Sequence, residues 1–189
     1  MIFLEKYNNI KNIRYPFFKR TLEISLQRNH KTIVETGTSR GKRKFFFFKK
    51  FNWKDGMSTI MFAEYANFIN GKLHSCDLSE ENIKNASYFT KKFNKSVQFY
   101  IEDSVIFLKN FHLKIDLLYL DSFDGHNVEL ASKHQLEEAK MCIKKLKDDA
   151  IVLLDDKGAK TLYSSDFFID NGFKILAESS NQLLLSKIL

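Results

Sequence analysis

The sequence predicts an α/β fold built on a doubly wound sheet, mostly parallel with one antiparallel strand near the C-terminus, and three observations predict it. Short apolar runs alternate with helix-periodic stretches from about residue 31 onward. The run IDLLYLD (115–121) is apolar at nearly every position, as a strand buried on both faces requires. The last two runs, FKILAES (173–179) and QLLLSKI (182–188), have too little chain between them for a crossover and must pair as a hairpin.

Taken in order, residues 17–29 carry apolar groups at helical spacing, and TIVET (32–36) follows as a short buried strand. Helix is predicted over 58–69, strand over KLHSCD (72–77), and helix over 79–93. Ser79 is the N-cap of that last helix, with Glu80 and Glu81 in its first turn, where carboxylates complement the helix dipole. Strand 96–101, a short helix over 104–111, the central strand 115–121, a helix over about 129–146, strand AIVLLDD (150–156) and a helix over about 159–170 complete the alternation. No repeat or second domain interrupts it. The chain reads as one domain over 1–189, an N-terminal helical segment (1–30) leading into a core over 31–189.

Composition narrows the classes. With 44% hydrophobic and 28% charged residues the chain is globular rather than disordered. Its net charge of +7 comes from 30 basic and 23 acidic residues spread along the whole length, a weak pointer to nucleic acid or another anionic partner. Cys76 and Cys142 form no CxxC pair and no zinc spacing. The N-terminus MIFLEKYNNIKN lacks the apolar run of a signal peptide, and no stretch reaches the ~20 apolar residues of a membrane span. A cytoplasmic protein with reduced thiols is expected.

The stretch TIVETGTSRGKRKFFFFKK (32–50) invites three readings. A Walker loop requires GxxxxGK followed by Ser or Thr, whereas GTSRGKRK is one residue short and lacks the hydroxyl. GxGxxG is absent as well. A stacking surface for nucleic acid requires exposed aromatics among the basic residues, but four consecutive phenylalanines cannot all face solvent. The segment reads as a basic, partly packed loop or helix beside an active site.

In doubly wound sheets ligands bind outside the carboxyl ends of the strands. Acidic residues stand at five successive ends here: Glu35, Asp77, Asp103 just past its strand, Asp121, and Asp155 with Asp156.

VETGTSRG (34–41) after the first core strand, with an acidic residue ending the second, resembles the cofactor site of class I S-adenosylmethionine-dependent methyltransferases. The series ETGT, NWKDGMSTIMFAE, DSVIFLKN, IDLLYLDSFDGH and AIVLLDD is similar to small O-methyltransferases with a metal site like that of catechol O-methyltransferase. The resemblance implies a Rossmann-like, seven-stranded sheet and S-adenosylmethionine as cofactor. Glu35, Gly37 and Thr38 would border its methionine part, Asp77 would accept hydrogen bonds from both ribose hydroxyls, and Asp103 and Ser104 would flank the adenine. An insertion separates GTSRG from DGMST, so either Gly41 or Gly56 supplies a second close approach; Gly56 with Ser58 and Thr59 is favoured, because that segment enters a helix whose N-terminus can receive the cofactor carboxylate.

The resemblance also implies a divalent ion, magnesium first, on Asp121, Asp155 and Asp156, with Asp121 serving both cofactor and acceptor. Three converging carboxylates require a cation or a proton if they meet; the alternative is that Asp155 or Asp156 caps the next turn and only Asp121 faces the site. A metal holding two adjacent hydroxyls would acidify one and align it for attack. Where the aromatic enzymes carry a lysine, this chain has Asp124, so Asp124, His126 and His134 stand with Asp121 as catalytic candidates. His134 reads equally as a surface histidine in a charged first turn.

The leading expectation is a metal-assisted O-methyltransferase acting on a small polyhydroxylated acceptor, a sugar or glycan ahead of a catechol. An RNA or nucleotide methyltransferase is the second, and a non-catalytic cofactor-binding or scaffold module the third.

Overall fold

The computed structural model of the chain describes residues 1–41, 43–45, 48–55 and 57–188. Its strands are β1 (Thr32–Thr36), β2 (Arg43–Phe45), β3 (Phe48–Lys50), β4 (Lys72–Asp77), β5 (Val97–Ile101), β6 (Ile115–Leu120), β7 (Leu146–Leu154), β8 (Lys174–Glu178) and β9 (Leu183–Ser186). The helices are α1 (Tyr15–Gln27), α2 (Ser58–Phe68), α3 (Glu80–Thr90), α4 (Ser104–Asn110), α5 (Val128–Cys142) and α6 (Ser164–Asp170).

Seven strands form one sheet in the order β5-β4-β1-β6-β7-β9-β8, and β2 pairs separately with β3. Strand β1 is parallel to both β4 and β6, while β9 runs antiparallel to β7 on one side and β8 on the other. The expected single reversed strand is therefore β9, and the architecture is the mostly parallel, Rossmann-like seven-stranded sheet that the alternation predicts. The order in which successive strands are added reverses between the parallel neighbours β1 and β6, which leaves a crevice at their carboxyl ends.

The pleat divides the core by residue parity. Ile33, Leu117, Tyr119, Ile151 and Leu153 face α1, α2 and the N-terminal 3-10 turn Ile2–Tyr7, packing against Leu4, Phe18, Leu22 and Phe62. Val34, Leu118, Leu120, Val152 and Leu154 face α4, α5 and α6, against Phe107, Cys142 and Phe168. Tyr119 lies edge-on between Phe18 and Phe62, with ring centroids 5.4 and 5.5 Å away, so the N-terminal helix is pinned to the central strand.

Several boundaries differ from expectation. Strand β7 starts at Leu146 rather than 150, because Leu146 pairs with Ile115; the charged residues Lys147–Asp149 then bulge out of register before pairing resumes at Ile151 opposite Leu117. The last helix begins at Ser164, the preceding residues forming turns. The basic-aromatic stretch expected as loop or helix contains the β2–β3 pair, registered Arg43 opposite Lys50 and Phe45 opposite Phe48, followed by a 3-10 turn Trp53–Asp55. Gly56, favoured for the close approach, lies outside the described residues.

Candidate functional site

Strands β1, β4, β6 and β7 end around a cavity of ≈ 420 Å³, within the range of small-ligand sites. Gly37, Thr38, Ser58, Asp77, Asp103, Ser104, Asp121, Asp124, His134, Asp155 and Asp156 all line it, which brings together most of the residues picked from the sequence. Glu35, Thr59 and His126 are not among its lining residues.

The β1 turn depends on Gly37. Its φ is +81°, and a Cβ there would lie 2.4 Å from the Asp121 carbonyl oxygen. The close approach that excludes a side chain is therefore to the β6 end of the protein itself. Gly41, also at positive φ, faces the Phe89 ring, 2.5 Å from where its Cβ would be.

On the β1–β4 side the carboxylates are held by neutral donors. Asp77 accepts from the Thr38 N–H and hydroxyl, each at 3.0 Å, from the Ser79 N–H at 2.8 Å, and from the Asn82 amide at 3.1 and 3.2 Å. Ser79 also caps α3, as expected, accepting from the Asn82 N–H. Fully buried Glu35 accepts from the Ser58 hydroxyl at 2.6 Å and the Ser75 hydroxyl at 2.5 Å. Burial raises its carboxyl to about 7 despite these donors. Ser39 and Thr59 exchange hydrogen bonds: the Ser39 N–H donates to Thr59 Oγ1 at 2.7 Å and the Thr59 N–H to Ser39 Oγ at 3.0 Å. Thr59 thus fastens the loop after β1 to the start of α2, and Ser58 is the part of that helix start that reaches the cavity.

At the far end Asp103 caps α4, accepting from the N–H groups of Val105 and Ile106 at 3.0 and 3.1 Å. Ser104 Oγ shares a hydrogen bond with His134 Nε2 at 2.9 Å and donates to Ser122 Oγ at 3.3 Å. Ser122 in turn donates to buried Glu138 at 2.6 Å. Burial pushes the Glu138 carboxyl upward, with His134 opposing. His134 therefore belongs to the α4–α5 wall, its ring 5.2 Å from Phe123.

Across the cavity, on β6 and β7, the partners are charged. Asp121, Asp155 and Asp156 bring carboxylate oxygens within 4.8 Å of one another, so all three face the site. Arg14, in the N-cap position of α1, directs Nε at both oxygens of Asp155 (2.8 and 2.7 Å) and Nη2 at Asp156 Oδ1 (2.6 Å). Lys160 directs Nζ at Asp121 Oδ1 (2.7 Å) and Asp156 Oδ2 (3.0 Å), and the Tyr119 hydroxyl donates to Asp121 Oδ2 at 3.2 Å. The side chains of Arg14 and Lys160 are only 17% and 4% exposed. Burial works against the charge of Lys160, but Asp121 and Asp156 outweigh it and its pKa rises. Three carboxylates against two cations leave one negative charge too many. Burial and the neighbouring Asp121 accordingly raise the Asp155 carboxyl to about 8, against the pull of Arg14, and a proton there makes the cluster neutral.

The all-oxygen donor set suits a hard divalent ion by type. The space among them does not: the Lys160 ammonium lies between Asp121 and Asp156 and the Arg14 guanidinium between Asp155 and Asp156, where an ion would have to sit, although each carboxylate oxygen keeps a second acceptor site for a neutral hydroxyl. As arranged, these residues do not fit a metal ion, and the cation that the cluster requires comes from the chain. Arg14 and Lys160 were not singled out in the sequence; the Asp156/Lys160 spacing of four was the available signal, and Arg14 had none. At the mouth, Asp124 pairs with Arg40 at 3.1 Å, while His126 is exposed just before α5.

The sequence pattern of the family described as "Methyltransferase domain" matches residues 53–157, more than half of the chain. No curated protein matches. Among solved structures, the chain is similar to the SAH-bound methyltransferase PaMTH1 of Podospora anserina, at 14% identity and TM-score 0.65 over 90% of this chain and 77% of that one. It is similar to the O-methyltransferase of Bacillus cereus in complex with SAH (12%, TM-score 0.61, 96% and 88%) and to the N-methyltransferase NodS of Bradyrhizobium japonicum WM9 (13%, TM-score 0.59, 90% and 92%). At these identities the likeness is one of fold.

Proposed function

Since the chain belongs to the methyltransferase-domain family and is an S-adenosylmethionine-dependent methyltransferase, we propose that it methylates a hydroxyl of a small polyhydroxylated acceptor, a sugar or glycan end ahead of a catechol. The observation that carries this reading is the β6–β7 wall, where three carboxylates and two cations stand side by side across the cavity from Asp77. Such a wall offers hydrogen bonds of both polarities and little net charge, which suits a neutral acceptor rich in hydroxyls better than a phosphate backbone.

The cofactor side fits S-adenosylmethionine by chemistry: a half-buried Asp77 carboxylate among neutral donors can accept hydroxyl hydrogens, with Asn82 beside it as a donor. Thr38, Ser58, Asp103 and Ser104 all line the cavity, and on this reading the first two would border the methionine part and the last two the base. When bound, the cofactor supplies an electrophilic methyl on a sulfonium. The protein's task is then to hold a hydroxyl in line and take its proton. Asp121, next to the Gly37 turn, accepts the hydroxyl's hydrogen bond, and Lys160 fixes the carboxylate that does so. Burial opposes but Lys160 and Arg14 prevail at Asp156, whose pKa is lowered, so it remains a fixed charge in the wall.

Release of S-adenosylhomocysteine, measured with mono- and oligosaccharides, catechols, RNA and no acceptor, tests the proposal. Turnover with a hydroxylated small molecule supports it. Turnover with RNA alone overturns it in favour of the nucleic-acid reading, and cofactor binding without turnover on any acceptor favours the non-catalytic one.

A further inference from the structure

We infer that Arg14 and Lys160 take the place of a divalent ion in the acceptor wall, so that this protein needs no metal, and that Lys160 is the positioning residue for Asp121. The inference rests on the acceptor-side reading of that wall and deepens it. Three strand-end carboxylates within 4.8 Å of one another are a set that a hard ion would gather. Here the gathering is done by side chains. Lys160 Nζ bridges Asp121 and Asp156 at 2.7 and 3.0 Å, and Arg14 bridges Asp155 and Asp156 through Nε and Nη2 at 2.7 and 2.6 Å. Asp156 is common to both cations, so the group forms a continuous chain from Asp121 to Asp155.

The two cations come from opposite ends of the polypeptide. Arg14 enters from the segment before α1, which the packing of Phe18 on Tyr119 holds against β6. Lys160 enters from the turn after β7, four residues beyond Asp156, and donates to the Asp121 backbone carbonyl at 3.4 Å as well as to its side chain. A metal could enter only by displacing Lys160, whose ammonium is nearly fully buried, and an ammonium forced from two carboxylates would keep only the neutral Asp121 carbonyl of its present partners. A fixed ammonium also differs from an ion in what it offers an acceptor: it holds Asp121 as a hydrogen-bond acceptor for one hydroxyl and does not chelate two. The acceptor therefore needs no vicinal diol.

Binding of Mn2+ to the purified full-length chain tests this, followed by the ion's electron paramagnetic resonance and by thermal unfolding with Mn2+ or EDTA. The wild type and Lys160→Arg should bind none at millimolar concentration and unfold at the same temperature in both buffers. Lys160→Met, which leaves three carboxylates with one cation, should bind Mn2+ stoichiometrically and unfold at a higher temperature when it is present. S-adenosylhomocysteine binding, measured on the same samples, should be retained in Lys160→Met; its loss in the wild type would fault the methyltransferase reading and leave the metal result to stand alone. Saturable Mn2+ binding by the wild type, abolished in Asp121→Asn, overturns the inference, as does a folded Lys160→Met that binds none. Should Lys160→Met not fold, the wild-type and Lys160→Arg measurement decides.

Discussion

On the β1–β4 side of the cavity, Asp77 is held by a hydroxyl, backbone N–H groups and an amide, whereas on the β6–β7 side Asp121, Asp155 and Asp156 are held by a guanidinium and a buried ammonium. Neutral donors near a half-exposed carboxylate can be exchanged for a ligand's hydroxyls at little cost. Ion-paired carboxylates cannot lose their partners so easily, because each would leave an unbalanced charge behind. One side is thus built to receive, the other to stay as it is. The two meet at Gly37, whose backbone packs on the carbonyl of Asp121.

The strongest way to break this comparison is at the exchangeable side. Asp77→Ala should weaken S-adenosylhomocysteine binding about 100-fold in calorimetry while leaving the unfolding temperature nearly unchanged. The same truncation on the fixed side should do the reverse: Lys160→Met should cost about 3 kcal/mol of stability in denaturant titration, from the carboxylates left without a partner, with cofactor affinity kept. Gly37→Ala strikes the joint between them. With φ at +81° and the Asp121 oxygen 2.4 Å from the new Cβ, it should destabilise by about 2 kcal/mol and lower both cofactor affinity and turnover.

The pH dependence of stability sharpens the contrast further. Glu35 and Asp155 hold protons in the folded state up to about 7 and about 8, well above their unfolded values, so their contribution is full in acid and is lost as pH rises through those values. Burial lowers His30 and His74, to about 4 for His74, so these add stability that is lost as pH falls below the unfolded histidine value. Melting temperatures should therefore peak near pH ~6, and Glu35→Gln should flatten the alkaline limb. The smallest effect is expected at the rim: Asp124→Asn removes an exposed pair with Arg40 and should leave stability and cofactor affinity within error.

The cofactor side was legible in the sequence because its residues adjoin the strand ends that periodicity locates. TIVET and KLHSCD are β1 and β4 residue for residue, Ser79 caps α3, and Gly37, Thr38 and Asp77 follow from those boundaries. The acceptor side was legible only in its acids. Arg14 reaches Asp155 across 141 residues of sequence, and no local pattern encodes so distant a pairing. His126 is a base candidate in sequence because the acidic cluster could tune it, but it is exposed and outside the cavity lining, just before Asn127 caps α5. The need for a cation at Asp121, Asp155 and Asp156 was readable from charge; that Lys160 and Arg14 meet it depended on packing.

The most direct measurement is calorimetric titration of S-adenosylhomocysteine into the wild-type protein, in EDTA and in magnesium, with Asp77→Ala beside it. Equal micromolar affinity in both buffers, lost in the variant, is the predicted result. No binding in either buffer, or binding that the variant retains, would contradict the assignment of this cavity.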